Sequence, residues 1–318
     1  MADYPKRVRI NEEGPREGFQ FEKGPIATVD KIALIDALSQ ARLPQIQVAS
    51  FVNPARVPGM ADADAVVAGI TRAPGTAYTA LWLNEKGFDR ALAHRGQIDL
   101  KGSISMVASE SFMLRNQNRD FAENRRVQTR MVARYLEAGL TVERASMMAA
   151  FGCNFEGEVP VARVLAVMAE TFEIAAECGV TIKTYSLADT MAWATPAAVQ
   201  RVVGAVRERW PDLRVALHLH DTRGMGIANA FAGLQMGVDT FDASVAGLGG
   251  CPFAGHKAAA GNVCSEDLAF LCEEMGIETG IDLEALSEAA RLAEQVVGHA
   301  LPGSVMKAGR LNAYRRAA

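Results

Sequence analysis

Along the chain, short runs rich in β-branched and aromatic residues alternate with longer segments whose apolar residues recur every three or four positions. The first period reads as strand and the second as amphipathic helix. The strand-like runs are, in order, RVRINE, QIQVASF, AYTALWL, KGSISMV, TVERASMM, TIKTYSLA, RVALHLH and TFDASVAG. Two of the intervening helices show their logic plainly. Thr28 is a suitable N-cap, and after it Ile32, Ile35 and Leu38 share one face. In TPAAVQRVVGAVRERW, Thr195 is placed to cap, Pro196 takes the first helical position, and Val199, Val202, Val203 and Val206 form the stripe to be buried.

Strict alternation implies a parallel sheet with helical crossovers, and eight units is the number that closes a (β/α)8 TIM barrel. The rival is an open doubly wound sheet, weakened because no GxGxxG opens a helix after the first strand. IDLEALSEAARLAEQVVGHALPG follows the eighth unit and reads as a further amphipathic helix. No linker or low-complexity tract splits the chain. The expected organisation is a catalytic barrel over residues 1–280 and a helical extension packed on it over residues 281–318.

Composition narrows the function. With 49% hydrophobic and 22% charged residues in 318, the chain has ample material for a core. A formal charge of −4 gives no reason to expect nucleic acid or an anionic membrane as partner. The N-terminal MADYPKRVRI has no apolar core of a leader, and no run approaches the roughly 20 apolar residues of a membrane span. A cytoplasmic location is expected. The five cysteines are scattered without a CxxC pair, which argues against a disulfide framework or a structural zinc site.

A TIM barrel gathers its functional side chains at the C-terminal ends of the strands. That rule selects Arg16 and Glu17 after the first strand, Asp189 after the sixth, HLHD at the end of the seventh, and GLGGCPFAGHKAAAGN after the eighth. His218 and His220, two apart on a strand, point to one side with Cα atoms about 6 to 7 Å apart. They can share a metal ion; the alternative is one buried, hydrogen-bonded imidazole and one surface residue. Their place at the barrel mouth favours the metal. A carboxylate, imidazoles and a carbonyl-type oxygen suit Mg²⁺ or Mn²⁺ with open positions, Zn²⁺ being the further option.

Cys251 lies in a glycine-rich loop where a thiol could carry a proton, whereas Cys178 and Cys272, on helical segments, read as small buried hydrophobes. Arg16 either pairs with a neighbouring carboxylate or stabilises a developing oxyanion. The residues by themselves therefore reach a metal-assisted reaction on an oxygen-rich substrate.

Four stretches, GPREGFQFEK, SFVNPARVPGMADADAV, HLHDTRGMGIANA and SVAGLGGCPFA followed by GN, resemble the motifs of the 3-hydroxy-3-methylglutaryl-CoA lyase family, in order and across nearly the whole chain. The resemblance implies a divalent metal held by Glu17, His218, His220 and Asn262. It gives Arg16 the enolate of the departing acetyl-CoA, Cys251 and His218 a part in proton transfer, and Asp189 a supporting place in that network. It also implies an acyl-CoA thioester substrate, a retro-Claisen cleavage, a place in leucine catabolism and a homodimer to which the C-terminal helix contributes.

The departures face the same site. Glu17 stands where the family has aspartate, and Gln47 where it has a glutamate that could act as a base. The family's GDTIGVGTP reads ADTMAWATP, so Ala188, Ala192 and Trp193 are expected to add bulk near Asp189, and the segment before Asn262 is longer. The acyl group is therefore open between 3-hydroxy-3-methylglutaryl-CoA and an analogue such as citramalyl-CoA. A condensing enzyme of the same group and a silent CoA-ester binder are the alternatives. His256 and Lys257 are either solvated loop residues or contacts for the CoA phosphates.

Overall fold

The computed structural model describes residues 4–22, 24–250 and 261–315. Its main sheet has eight parallel strands: β1 (Arg9–Glu12), β2 (Gln45–Ser50), β3 (Ala77–Leu81), β4 (Gly102–Val107), β5 (Val142–Met148), β6 (Thr184–Ala188), β7 (Arg214–His218) and β8 (Thr240–Ala243). Each predicted run holds one of them. Their spatial order is 3-2-1-8-7-6-5-4, so β1 pairs with both β2 and β8. A first strand lying between the second and the last is the arrangement of a TIM barrel.

Ladder pairing is recorded between all neighbours except β3 and β4. There Asp99 bridges instead: its amide donates to the Tyr78 carbonyl at 2.6 Å and its carboxylate accepts from the Tyr78 amide at 2.8 Å. Trp82, just beyond β3, donates to the Tyr135 hydroxyl at 2.7 Å, and Phe88 meets the Tyr135 ring edge-on at 4.9 Å. Side chains thus fill the seam that backbone pairing leaves.

Helices surround the sheet and bury their apolar stripes against it. The helix Pro196–Arg209 matches its sequence logic: Thr195 Oγ1 accepts from the Ala198 amide at 3.2 Å, and Val199, Val202, Val203 and Val206 are buried. The expected cap at Thr28 is corrected. Ala27 is the N-cap of Thr28–Gln40, and the Thr28 hydroxyl instead donates at 2.7 Å to Asp62, which also receives Lys31 at 2.6 Å. The hydroxyl is thus engaged as a donor to a charged carboxylate, and it does not act as the acceptor for a helix-end amide that a cap would be.

The helix Leu283–Val297 starts on an Asp282 cap, with its side chain accepting from the Ala285 amide at 3.2 Å, and ends at Gly298 in the left-handed region. It packs against Thr28–Gln40 and the turn after β8, filling the outer ring beside the first helices. Beyond β5 a small antiparallel hairpin pairs Gly152–Cys153 with Gly157–Glu158. Among the described residues, no helix is long and apolar enough to cross a membrane.

Candidate functional site

β1 runs almost directly into the short helix Gly14–Phe21. A Cβ on Gly14 would lie 2.6 Å from the Glu12 carboxylate and 2.8 Å from Ser244 Oγ, so only glycine lets the helix start this close to β8. Glu12, fully buried, ties the segments together: it accepts from the amides of Gly14 at 2.7 Å and Val245 at 2.9 Å and from the Ser265 hydroxyl at 2.6 Å. Positions 13, 16 and 17, at i, i+3 and i+4, share one helical face. Glu13, Arg16 and Glu17 are accordingly brought together over the strand ends.

Glu17 meets both histidines. Its Oε2 is 3.5 Å from His218 Nε2 and its Oε1 is 3.5 Å from His220 Nε2, and one ligand atom from each residue lies within 4.8 Å of the others. The two imidazole centroids are 5.3 Å apart, so the HxH spacing does direct both rings to one place. Asn262 reaches it through the backbone: Val263 N donates to Leu219 O at 2.9 Å and Asp221 N to Gly261 O at 2.6 Å, setting Asn262 opposite His220 in an antiparallel bridge. Its side-chain amide is buried, and neither Oδ1 nor Nδ2 has a hydrogen-bond partner among the described residues. Leaving such a group without a partner costs about 1–3 kcal/mol. A hard cation would satisfy the lone pair of Oδ1, and the donor set of carboxylate, two imidazoles and amide oxygen fits a divalent ion.

Electrostatics agree. Burial alone would raise the Glu17 carboxyl, but the Arg16 guanidinium and His218 hold it well below the usual range. Burial opposes charge on His218 too, yet Glu17 and Asp242 raise it to about 10. Surroundings that bind a proton so firmly are those a divalent cation takes over, since metal and proton compete for the same lone pairs.

Asp242 stands behind His218, on β8. It accepts from Asn11 Nδ2 at 2.8 Å and Arg144 Nη2 at 3.0 Å, and its Oδ2 lies 3.5 Å from His218 Nδ1. Burial would raise this carboxyl, but Arg144 and His218 pull it far below the normal range. With Nδ1 turned to Asp242, His218 presents Nε2 to Glu17, the orientation a metal ligand needs.

Arg16 is held on two edges. Nη2 lies 2.6 Å from Glu13 and 3.2 Å from Glu17, and Nε donates to Gln47 Oε1 on β2. Asp189 follows β6; its Oδ1 accepts from the amides of Trp193 at 2.7 Å and Ala194 at 3.0 Å, while Oδ2 is buried without a hydrogen bond among the described residues. Burial raises this carboxyl despite those two amides and His220. The expected crowding by Trp193 goes elsewhere. Its indole donates to Asn154 Oδ1 at 2.7 Å and lies where a Cβ on Gly152 would be 2.6 Å away, so its bulk covers the hairpin. Ala192, in place of the family's glycine, keeps a left-handed φ of 55°, a strain of about 1 kcal/mol.

The structure therefore assembles Arg16, Glu17, Gln47, His218, His220 and Asn262, with Asp189 one loop away. Cys251, His256 and Lys257 lie outside the described residues. Sequence reasoning missed Glu13, Asp242 and Arg144. The signal for the last two was a charge within a strand at a position whose neighbours two away are uncharged. A second group, Cys264, Glu266 and Asp267, has metal-like spacing. It serves the backbone instead: Asp267 accepts from the amides of Ser304 and Val305, and Glu266 from that of Ala246.

A TIM barrel with a carboxylate, two imidazoles and an amide converging at its C-terminal mouth defines a class of enzymes built around a divalent cation. Within that class the chain belongs to the HMGL-like family, whose model matches residues 7–293. It is 40% identical to the hydroxymethylglutaryl-CoA lyase of Bacillus subtilis over 299 residues, which is 94% of this chain and 96% of that protein. The crystal structure of Bacillus subtilis HMG-CoA lyase superposes with a TM-score of 0.88 at 39% identity, covering 96% of this chain and 98% of the other. An HMG-CoA lyase of Acinetobacter baumannii, in complex with coenzyme A and 3-methylmalate, gives 0.86 at 34% identity with both chains fully covered.

Proposed function

We propose that this protein is a divalent-metal-dependent carbon–carbon lyase that cleaves a 3-hydroxyacyl-CoA, with 3-hydroxy-3-methylglutaryl-CoA the leading substrate, to acetyl-CoA and a keto acid. The observation that carries this reading is the placement of Arg16 against Glu17, the residue that also faces both histidines. Glu17, His218, His220 and Asn262 would hold the ion. Bound there, Mg²⁺ or Mn²⁺ supplies a Lewis acid for substrate oxygens, with Zn²⁺ the further option.

The chain's own residues then divide the work. The tertiary hydroxyl loses its proton, the adjacent carbon–carbon bond breaks with its electron pair passing to the thioester α-carbon, and the resulting enolate is protonated there to give acetyl-CoA. Arg16 places a permanent positive charge beside the ion site, where the enolate oxygen's charge develops, and its Nη1 makes no hydrogen bond or ion pair among the described residues. His218 offers the site one nitrogen, Nε2, because Nδ1 faces Asp242. That atom cannot ligate and carry a proton at once. We therefore assign it to the ion, and leave proton transfer to Cys251 with support from the Asp189 oxygen that has no hydrogen bond among the described residues.

A second reading keeps the chemistry and changes the acyl group. The Acinetobacter baumannii relative holds coenzyme A with 3-methylmalate, a smaller hydroxy diacid, and Glu17 here reaches one methylene further than aspartate would. Incubating the purified protein and Mn²⁺ with a panel of thioesters, including 3-hydroxy-3-methylglutaryl-CoA and citramalyl-CoA, separates the two. Release of acetyl-CoA from none of them overturns the lyase reading. A cytoplasmic homodimer is part of the proposal, and light scattering at micromolar concentration checks the dimer.

A further inference from the structure

Arg16 lies between two neighbours of different charge. Gln47, on β2, accepts from Nε as a neutral amide. Glu13, at the junction of β1 and the helix, takes Nη2 at 2.6 Å with its own side chain only 4% exposed. Glu17 is 3.2 Å from the same Nη2, but both of its oxygens also face histidines. Once Glu17 is committed to a cation, Glu13 is the one carboxylate in contact with Arg16 among the described residues that is free to balance its charge.

Geometry adds to charge. A guanidinium is a planar fork, and holding it at Nε and Nη2 fixes the plane and leaves Nη1 as the free edge. Glu13 grips it from the β1–helix junction and Gln47 from β2, so a carboxylate at either position could set the same plane.

We propose that Glu13 is the positioning residue of this site, a buried carboxylate that fixes and neutralises Arg16 so that Nη1 is aimed at the enolate oxygen. The charge that orients the arginine thus sits at the β1–helix junction, with a neutral amide completing the grip on β2. This inference rests on the lyase reading for its kinetic arm only.

The experiment compares wild type, Glu13→Gln, Gln47→Glu and the double variant, each loaded with Mn²⁺. Glu13→Gln should lower kcat about 30-fold while KM changes less than about 3-fold, since the loss falls on the group that stabilises the transition state. Gln47→Glu alone should also lower kcat, by surrounding Arg16 with three carboxylates. In the double variant the charge is restored on the other edge, and kcat should return to within about 5-fold of wild type. A merely structural glutamate would lower the melting temperature and would not be rescued by a carboxylate on β2.

The Arg16 side-chain nitrogen resonances, assigned by their loss in Arg16→Lys, report the grip without turnover. Resolved Nη signals should merge in Glu13→Gln and separate again in the double variant. Glu13→Asp, which keeps the charge but shortens its reach, should fall between and serves if the amide variant does not fold. Unchanged kcat and resonances in Glu13→Gln, or a double variant no better than Glu13→Gln, overturn the proposal. A wild type that cleaves no thioester overturns the lyase reading and leaves the resonance arm to decide this one.

Discussion

Asp242 Oδ2 sits 3.5 Å behind His218 Nδ1, so the imidazole is held from the barrel interior while its other nitrogen faces Glu17. The partner is expensive to hold there. It is a buried carboxylate whose charge is kept by Arg144, Asn11 and the histidine itself.

Replacing Asp242 with asparagine keeps the shape but removes the charge that sets the ring's orientation. Mn²⁺ affinity should weaken by about 10- to 100-fold, the usual cost of losing such a support. Isothermal titration with Mn²⁺ measures it; an unchanged dissociation constant would mean that Asp242 serves only Arg144.

Asn262 allows a cleaner separation of binding from folding. Its amide is buried without a hydrogen bond among the described residues, so Asn262→Ala removes a polar group with no partner there and should cost less than about 1 kcal/mol of metal-free stability. Metal affinity should still fall. Melting curves with and without Mn²⁺ check both at once: the variant should lose much of the metal-induced rise in Tm and little of the Tm without metal.

Glu17→Asp tests whether the longer side chain is fitted to this site. Glu17 reaches both imidazoles at 3.5 Å, and losing a methylene withdraws its oxygens by more than 1 Å on the order of a bond length. A displacement of that size costs about 100-fold in rate at a tuned centre. Kinetics on the true substrate give the answer, and equal turnover and metal affinity would mark the change as neutral.

Trp193→Val restores the family's residue at a side chain turned onto the hairpin. Lost packing and the lost bond to Asn154 should lower stability by about 2 kcal/mol, with kcat/KM within about 3-fold. A KM change above 10-fold at unchanged Tm would place the indole in the acyl site after all.

Stability should depend on pH through Glu266. Burial raises its carboxyl to about 7, although the Cys264 thiol and the Ala246 amide favour the charged form. The folded state therefore holds a proton that the unfolded chain releases near its ordinary carboxylate pKa, so the contribution of Glu266 to stability is fully present below about 4.5 and is lost as pH rises through about 7. In Glu266→Gln that decline should flatten. Urea unfolding at several pH values between 5 and 8, compared with wild type, measures the difference; parallel curves would show that the proton is not there.

Much of this was legible in the sequence, for a physical reason. Alternation of period reports burial directly, so every strand of the main sheet was found with errors confined to the ends, while the two-residue strands of the hairpin after β5 are too short to show a period. RVRINE shortens to Arg9–Glu12 because Val8 instead donates to Glu278 near the C-terminal helix. His218, His220 and Glu17 could be read because position at a strand end and spacing identify them. Asp242 could not. Its partners Asn11 and Arg144 are 231 and 98 residues away, and a charge inside a strand carries no linear sign of what neutralises it. Glu13 was missed for the opposite reason, being too close: beside Arg16 it looked like an ordinary helix-start carboxylate.

The bridge that sets Asn262 opposite His220 is made by main chain, between Gly261–Val263 and Leu219–Asp221. The address of this donor is thus independent of how many residues precede Gly261. A change in the length or make-up of that upstream segment would leave these main-chain bonds, and with them the position of the amide, in place. Position and neighbourhood are in this sense decoupled: main-chain pairing anchors the Asn262 amide, while the make-up of the adjoining stretch does not enter that anchor.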